Sequence, residues 1–202
     1  MIKFTHALTI RMTRVGDFTN RRTTLIRNSH EEAAVWLPDG EPSKKILRLS
    51  ASNYQDSSLA AVGVAAHEAG HAIQDASHYP LLVVRNLIVP LAAIGSNVSF
   101  TALLAGVIFQ SMTLVWVGIL LFSTVVVFQI VNLPVEFDAS RRAREQLKLT
   151  GLITPEEDQV VGKVLGAAAM TYVAATLTSI LQLLFFVIRA RGFRRRQDDT
   201  YV

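Results

Sequence analysis

Two histidines four residues apart, with a glutamate directly after the first, are the residues of this sequence best suited to chemistry. They are His67, Glu68 and His71, in the pattern HExxH. On a helix, positions four apart lie on one face, so both imidazoles can reach one metal ion. Two neutral nitrogens hold Zn²⁺ and leave a position open for water, while a neighbouring carboxylate can accept the water's proton. The pattern therefore predicts a hydrolytic zinc site with His67 and His71 as ligands and Glu68 as general base.

The residues around this pattern favour the helix that the chemistry requires. Ser57 or Ser58 can cap its start, because a serine hydroxyl accepts a hydrogen bond from a backbone N–H of the first turn. Apolar residues then recur at helical spacing, at Leu59, Val62, Ala66 and Ile73. This periodicity predicts an amphipathic helix with both histidines on the face next to the apolar stripe.

The composition indicates a membrane protein with a polar portion. Of the 202 residues, 50% are hydrophobic and 18% are charged, so apolar residues must be concentrated in blocks. Cysteine is absent, which leaves any metal to histidine and carboxylate ligands. The net charge is +4, but the arginines mostly flank apolar blocks, where anionic lipid headgroups are the expected partner. We therefore predict contact with a lipid bilayer and no binding of nucleic acid.

Three apolar blocks predict about three transmembrane helices. They span about 87–109, 114–131 and 164–188, and a helix needs ~20 residues to cross the hydrocarbon core. The first two blocks are separated only by 110–113, so they form a tight hairpin. A hairpin returns the chain to the side from which it came. It therefore brings the HExxH helix and the segment after residue 132 to the same side of the membrane.

A carboxylate in that returning segment is the candidate for the third zinc ligand. Pro134 is predicted to end or kink the incoming helix, and a new helical stretch then carries Glu136, with Ser140 on the same face. Two histidines, Glu136 and a water complete an open four-coordinate site. Asp138 is the alternative ligand, or a partner that holds a histidine tautomer. In a different interpretation, these acidic residues simply occupy a solvated helix start, where negative charge is favourable.

The remaining segments carry no assigned chemistry. Lys44–Ser50 alternates apolar and polar residues and predicts a short strand, either an edge that an extended peptide joins or part of a structural hairpin. Thr154, followed three residues later by Glu157, predicts a helix start that leads a short helix into the third apolar block. The uncharged loop at 110–113 favours a cytoplasmic active site.

These patterns divide the chain into six predicted segments. They are a basic N-terminal arm (1–43), a strand with the HExxH helix (44–80), a transmembrane hairpin (81–134), the third-ligand helix with a connector (135–163), the third transmembrane helix (164–188) and a basic tail (189–202).

A family resemblance rests on several of these stretches together. The HEAGHAIQ helix, preceded by LRLS and SLAAVGVAA and followed by NLPVEFDASRRA, resembles the YugP-type membrane zinc metallopeptidases of bacteria. The resemblance runs from about Lys44 to the end of the third apolar block. A looser similarity is to the HtpX-type membrane gluzincins, in which a transmembrane hairpin separates HExxH from a helix whose glutamate binds zinc. The resemblance implies a mainly α integral membrane protein with a small gluzincin-like zinc domain, multi-pass in a bacterial cell membrane.

The resemblance also implies a role for each matching residue. His67 and His71 match the zinc-binding histidines, Glu68 the general base and Glu136 the third ligand. Where the HtpX-type pattern has an aspartate, four residues after the ligand glutamate, this chain has Ser140, which makes Ser140 a candidate to support a ligand. The implied activity is that of a zinc-dependent metalloendopeptidase acting on peptides or membrane proteins. The alternative is a catalytically inert membrane scaffold or chaperone-like protein with a structural or vestigial zinc site. The oligomeric state is not indicated.

Overall fold

The fold is known from a computed structural model. It describes the backbone of residues 23–28, 34–38, 45–50, 56 and 58–198, and the side chains of residue 56 and of 58–192. The side chains of the predicted basic arm and of the last arginines of the basic tail therefore lie outside the described part of the chain. Within the described chain, three short strands precede four helices. The mainly α class predicted from the sequence is therefore confirmed.

The strands form one small sheet in the order β1-β3-β2. β1 (Thr23–Asn28) runs parallel to β3 (Lys45–Ser50), and β2 (Ala34–Pro38) runs antiparallel to it. The strand predicted at 44–50 is present as β3. Because β3 is paired on both sides, it is not an open edge, and the idea that a peptide adds to this strand is wrong. β1 and β2 lie in the range predicted only as a basic arm, since their sequences lack a long alternating pattern.

The HExxH residues lie on α1 (Leu59–Ala76), which contacts β2 and β3. Ser58 caps the helix: its backbone is extended, and its hydroxyl accepts a hydrogen bond from the Ala61 N–H at 3.2 Å. The predicted cap is thus Ser58. The helix stops before His78, whose positive φ of 50° places it in the left-handed region, and a new helix starts at Pro80. The helix is therefore interrupted between Ala76 and Pro80.

Three long helices follow α1. They are α2 (Pro80–Ile108), α3 (Met112–Leu149) and α4 (Pro155–Asp198). Each contains a stretch long and apolar enough to cross a membrane. The described chain therefore has three helices that could span a membrane, as predicted.

Helix α3 continues through Pro134 without a break. The prediction that a new helix begins after this proline is therefore wrong. Proline removes one backbone hydrogen bond, but long membrane helices tolerate this loss, because neighbouring turns and side chains satisfy the freed carbonyl. Helix α4 is likewise one continuous element, and no separate short helix leads into its apolar stretch.

The described residues form two compact units, and α3 and α4 each contribute to both. The first unit comprises the chain up to Tyr79 together with 135–169. Its core joins one face of α1 to α3 and α4, through Val62, Ala66, Ala143, Leu147, Val161 and Leu165. The second unit comprises 80–134 and the chain from Met170 onward. Its core includes Leu103, Val115, Ile119 and Ala190, and many of its large apolar side chains are exposed, as expected for surfaces that face lipid.

The start of α4 carries the capping box predicted from the sequence. The Glu157 carboxylate accepts a hydrogen bond from the Thr154 backbone N–H at 2.8 Å, and the Glu157 N–H donates to the Thr154 hydroxyl at 3.2 Å. The side chain of each residue thereby accepts a hydrogen bond from the backbone N–H of the other.

We expect Thr154→Ala to lower the free energy of unfolding by about 1 kcal/mol, because a helix cap is lost. Thermal unfolding in detergent, followed by circular dichroism, measures the effect. The control is Thr178→Ala, which removes a hydroxyl that only donates to the Ala174 carbonyl of its own helix. Equal shifts in both variants would contradict the capping role.

Candidate metal centre

The two histidines and the glutamate predicted as ligands come together in the structure. His67, His71 and Glu136 each offer one ligand atom, and these atoms all lie within 4.8 Å of one another. The histidines come from consecutive turns of α1, and their rings meet nearly edge to face, with centroids 4.8 Å apart. Glu136 comes from α3 and is only 4% exposed. Both helices are therefore needed to assemble this cluster.

A close approach of α1 and α3 makes this assembly possible. Gly70, between the two histidines, faces Ala139 of α3. A Cβ atom at Gly70 would lie 2.3 Å from the Ala139 carbonyl oxygen and 2.9 Å from its carbonyl carbon. Only a glycine leaves room for the neighbouring backbone at this point.

Each histidine is held through its Nδ1 atom. Nδ1 of His67 lies 3.0 Å from the hydroxyl oxygen of Ser140, one turn after Glu136 on α3. Nδ1 of His71 lies 3.0 Å from the amide oxygen of Gln74. Support of this kind orients a ligand ring and selects its tautomer. Ser140 is the position at which this chain departs from the HtpX-type pattern. The structure thus places it in direct contact with a predicted ligand.

The hydrogen bonds of Gln74 determine the tautomer of His71. The Gln74 amide nitrogen donates to the Val135 carbonyl oxygen at 2.8 Å and to the Asp138 carboxylate at 3.0 Å. Its amide oxygen must then face His71 and accept a hydrogen bond from Nδ1, because only the nitrogen of an amide can donate. With its proton on Nδ1, neutral His71 presents the lone pair of Nε2 to Glu136.

This arrangement suits a cation between the imidazoles and the carboxylate. Oε2 of Glu136 lies 3.2 Å from Nε2 of His67 and 3.5 Å from Nε2 of His71. A nitrogen lone pair and a carboxylate oxygen repel each other at these distances unless a proton or metal ion is shared. Tetrahedral Zn²⁺, with bonds of ~2.1 Å, separates its ligand atoms by ~3.4 Å. The donor types and their spacing therefore fit zinc.

A proton is the competing cation. Burial disfavours the charged imidazole of His71, but the hydrogen bond and charge of Glu136 outweigh this, so the pKa of His71 is raised above its ordinary value. The charge of Glu68 also contributes to the raised pKa of His71. The Glu68 carboxylate is thus close enough to act electrostatically on the cluster, and it is half-buried.

Asp138, the alternative ligand, has other partners. Besides Gln74, its carboxylate accepts hydrogen bonds from the guanidinium groups of Arg141 and Arg142. It lies at the end of a chain of contacts that runs through Gln74 to His71. The structure thus places Asp138 where it orients Gln74, whereas Glu136 faces both histidines.

Gln74 is a site residue that the sequence analysis missed. Its side chain is fully buried at 0% exposure, and it joins His71 to α3. The only signal in the sequence is its position three residues after His71, which places it on the same helix face. That signal has no meaning until α3 is known to lie opposite.

We expect Gln74→Leu to weaken zinc binding about 10- to 100-fold, because His71 loses the acceptor that holds its tautomer. The variant should also unfold at a lower temperature, since the Val135 carbonyl and Asp138 lose a buried donor. Competition with a chromophoric chelator measures the zinc affinity. Gln146→Leu makes the same change on α3, ten residues after Glu136, and should keep the affinity. Unaltered zinc affinity in folded Gln74→Leu would show that Gln74 does not position His71.

Comparison with known proteins agrees with this geometry. Residues 39–191 match the family model described as "Putative neutral zinc metallopeptidase". The chain is also 44% identical over 148 residues to a protein of Bacillus subtilis (strain 168) named "Putative membrane protease YugP". That match covers 73% of this chain and 66% of the relative, so the chain spans just under two thirds of the relative's length. No solved structure matches the chain. The family model covers well over half of the sequence, and the matched range includes His67, Glu68, His71 and Glu136. The chain therefore belongs to the neutral zinc metallopeptidase family.

Proposed function

We propose that this chain is a membrane-bound zinc metallopeptidase that hydrolyses peptide bonds, with Glu68 as general base. The observation that carries the proposal is the convergence of the ligand atoms of His67, His71 and Glu136 within 4.8 Å, on helices of an integral membrane protein. Zinc held by these residues would supply a Lewis acid that polarises the peptide carbonyl and makes water a better nucleophile at neutral pH. We place the site on the cytoplasmic side, supported by the uncharged loop at 110–113.

The chain's own residues would perform the proton transfers. Glu68 follows His67 directly on α1 and would accept a proton from the attacking water. The same carboxylic acid can then return that proton to the nitrogen of the leaving amine. Ser140 and Gln74 would keep the two imidazoles oriented through these steps, because both contact Nδ1 and leave Nε2 to the cluster.

Metal content and cleavage, measured on the same samples, test the proposal. We expect the detergent-purified protein to contain about one zinc per chain and to cleave unfolded β-casein. A chelator should abolish cleavage and added zinc should restore it. Glu136→Ala should lose zinc and cleavage together, because one of the three protein ligands is gone. A zinc-loaded protein that cleaves neither casein nor a library of unstructured peptides would contradict the proposal.

A further inference from the structure

A groove between α3 and α4 lies next to the metal centre, within the first unit. It encloses about 310 Å³, at the lower end of the range for ligand sites. It is lined on α3 by Phe137, Ser140, Arg144 and Lys148 and on α4 by Gly166 and Ala169. We call it the α3/α4 groove. Such a volume has room for a short extended stretch of polypeptide.

One side chain connects the groove to the metal centre. Ser140 lines the groove, and its hydroxyl oxygen lies 3.0 Å from Nδ1 of His67. Phe137, the next residue after the ligand Glu136, lies in the groove wall and is 48% exposed. A chain lying in the groove would therefore pass beside Ser140, one side chain away from His67.

The two ends of the groove differ in chemistry. Phe137 and Ala169 lie at the end where α3 and α4 continue into their apolar spanning stretches. The opposite end carries charge, through Arg141, Arg144, Glu145 and Lys148. A ligand that fits both ends must be apolar where it is nearest to the membrane and polar where it is furthest from it.

The cations at the charged end differ in how closely they are paired. Arg144 is held by Asp158 through two hydrogen bonds of 2.9 and 2.8 Å, and Arg141 by Asp138 and Glu145. Lys148 is 50% exposed, and its ammonium is 3.6 Å from the same Asp158, beyond hydrogen-bond distance. Lys148 is therefore the cation of the groove with the weakest compensation.

We propose that the α3/α4 groove binds the substrate segment that adjoins a transmembrane helix, with apolar side chains against Phe137 and Ala169 and an acidic side chain near Lys148. This inference rests on the proposed peptidase function. Both arginines at the charged end are already paired with carboxylates, so Lys148 is the contact available to one acidic group. We favour a polypeptide over a phospholipid as the occupant, because Ser140 joins the groove to the proposed peptidase site. A polypeptide needs only one acidic group there and gains contact along the apolar wall.

Two glycines of α4 provide a matched test. A Cβ at Gly166, in the groove wall, and a Cβ at Gly192, outside it, would each meet nothing within 4 Å. Gly166→Trp can therefore fill the groove without displacing the backbone, and Gly192→Trp makes the same change elsewhere on the helix. Both variants should keep their zinc content and unfolding temperature.

Binding is measured in the Glu68→Gln background, so that turnover does not interfere. The probes are short fluorescein-labelled peptides with one half of Leu and Phe and the other half of either Asp or Lys, followed by fluorescence anisotropy. We expect Gly166→Trp to weaken binding of the Asp peptide at least tenfold, and Gly192→Trp to leave it unchanged. Lys148→Glu should shift the preference between Asp and Lys peptides about fivefold toward Lys.

The possible results distinguish failure of the groove proposal from failure of the proposed peptidase function. Equal binding by Gly166→Trp and Gly192→Trp would overturn the groove as the substrate site, even if the unmodified chain cleaves casein. Peptide binding that Gly166→Trp removes, in a chain that cleaves nothing, would keep the groove and overturn the peptidase. If Gly166→Trp altered only binding of a phosphatidylglycerol vesicle and not of either peptide, the occupant would be a lipid and the proposal would be wrong.

Discussion

Replacing Glu68 by glutamine should lower the rate of peptide hydrolysis about a thousandfold and leave one zinc per chain in place. Glutamine matches the size of glutamate but cannot accept a proton at neutral pH, and loss of a general base costs rates of this order. Zinc should remain, because the clustered ligands are His67, His71 and Glu136. The measurement is casein cleavage at equal zinc content, with elemental analysis of the same sample.

The control for this change is Glu156→Gln. It makes the same replacement on an exposed carboxylate in the first turn of α4, which belongs neither to the metal centre nor to the α3/α4 groove, and casein cleavage should remain close to that of the unmodified chain. Should Glu68→Gln cleave as fast as the unmodified chain, Glu68 is not the base. If a cellular function were also unchanged in that variant, the inert scaffold with a structural zinc site would be the better account.

The clustering of His67, His71 and Glu136 could be predicted because its geometry is local or enforced by topology. The spacing of His67 and His71 is a property of one helix, and no tertiary information is required to place both on one face. Glu136 could be predicted because a two-helix hairpin with a short loop must return the chain to the side of α1. The membrane thus replaces a long-range contact that would be difficult to infer in a soluble protein.

Gln74 could not be predicted, because its role depends on two helices at once. Its amide oxygen serves His71 on its own helix, and its amide nitrogen serves Val135 and Asp138 on α3. A buried amide is costly unless every polar atom is paired, but the sequence does not state which partners face it. The same reasoning covers the α3/α4 groove, whose walls are residues with ordinary helical spacing on two separate helices.

The helix end predicted at Pro134 is not found, and the reason is physical. In water a proline inside a helix costs ~3 kcal/mol, which justifies placing a helix end there. In lipid an interrupted helix would expose further backbone polar groups, so continuing through the proline is the less costly solution. Glu136 therefore lies on the same helix as the spanning stretch of α3.

Gly70 is the position where a single methyl group should have the largest structural effect. Gly70→Ala would place its Cβ 2.3 Å from the backbone carbonyl oxygen of Ala139, and backbone cannot rotate away as a side chain can. Alanine favours the helix by about 1 kcal/mol over glycine, but overpacking of this kind costs about 1–3 kcal/mol or more. We expect a lower unfolding temperature in detergent.

The same substitution should also weaken zinc binding. Separating α1 from α3 moves His67 and His71 away from Glu136, although all three ligands remain in the chain. We expect zinc affinity to fall by at least about tenfold, as for other losses of ligand positioning. Chelator competition and thermal unfolding on one sample measure both effects.

Gly166→Ala is the matched control, because it makes the same change on a helix where a Cβ meets nothing within 4 Å. There the gain in helix propensity acts alone, so the protein should become more stable by up to about 1 kcal/mol. Opposite signs for the two glycine variants would follow directly from the distance between α1 and α3. If Gly70→Ala were as stable as Gly166→Ala and bound zinc equally well, the close approach that assembles the metal centre would be wrong.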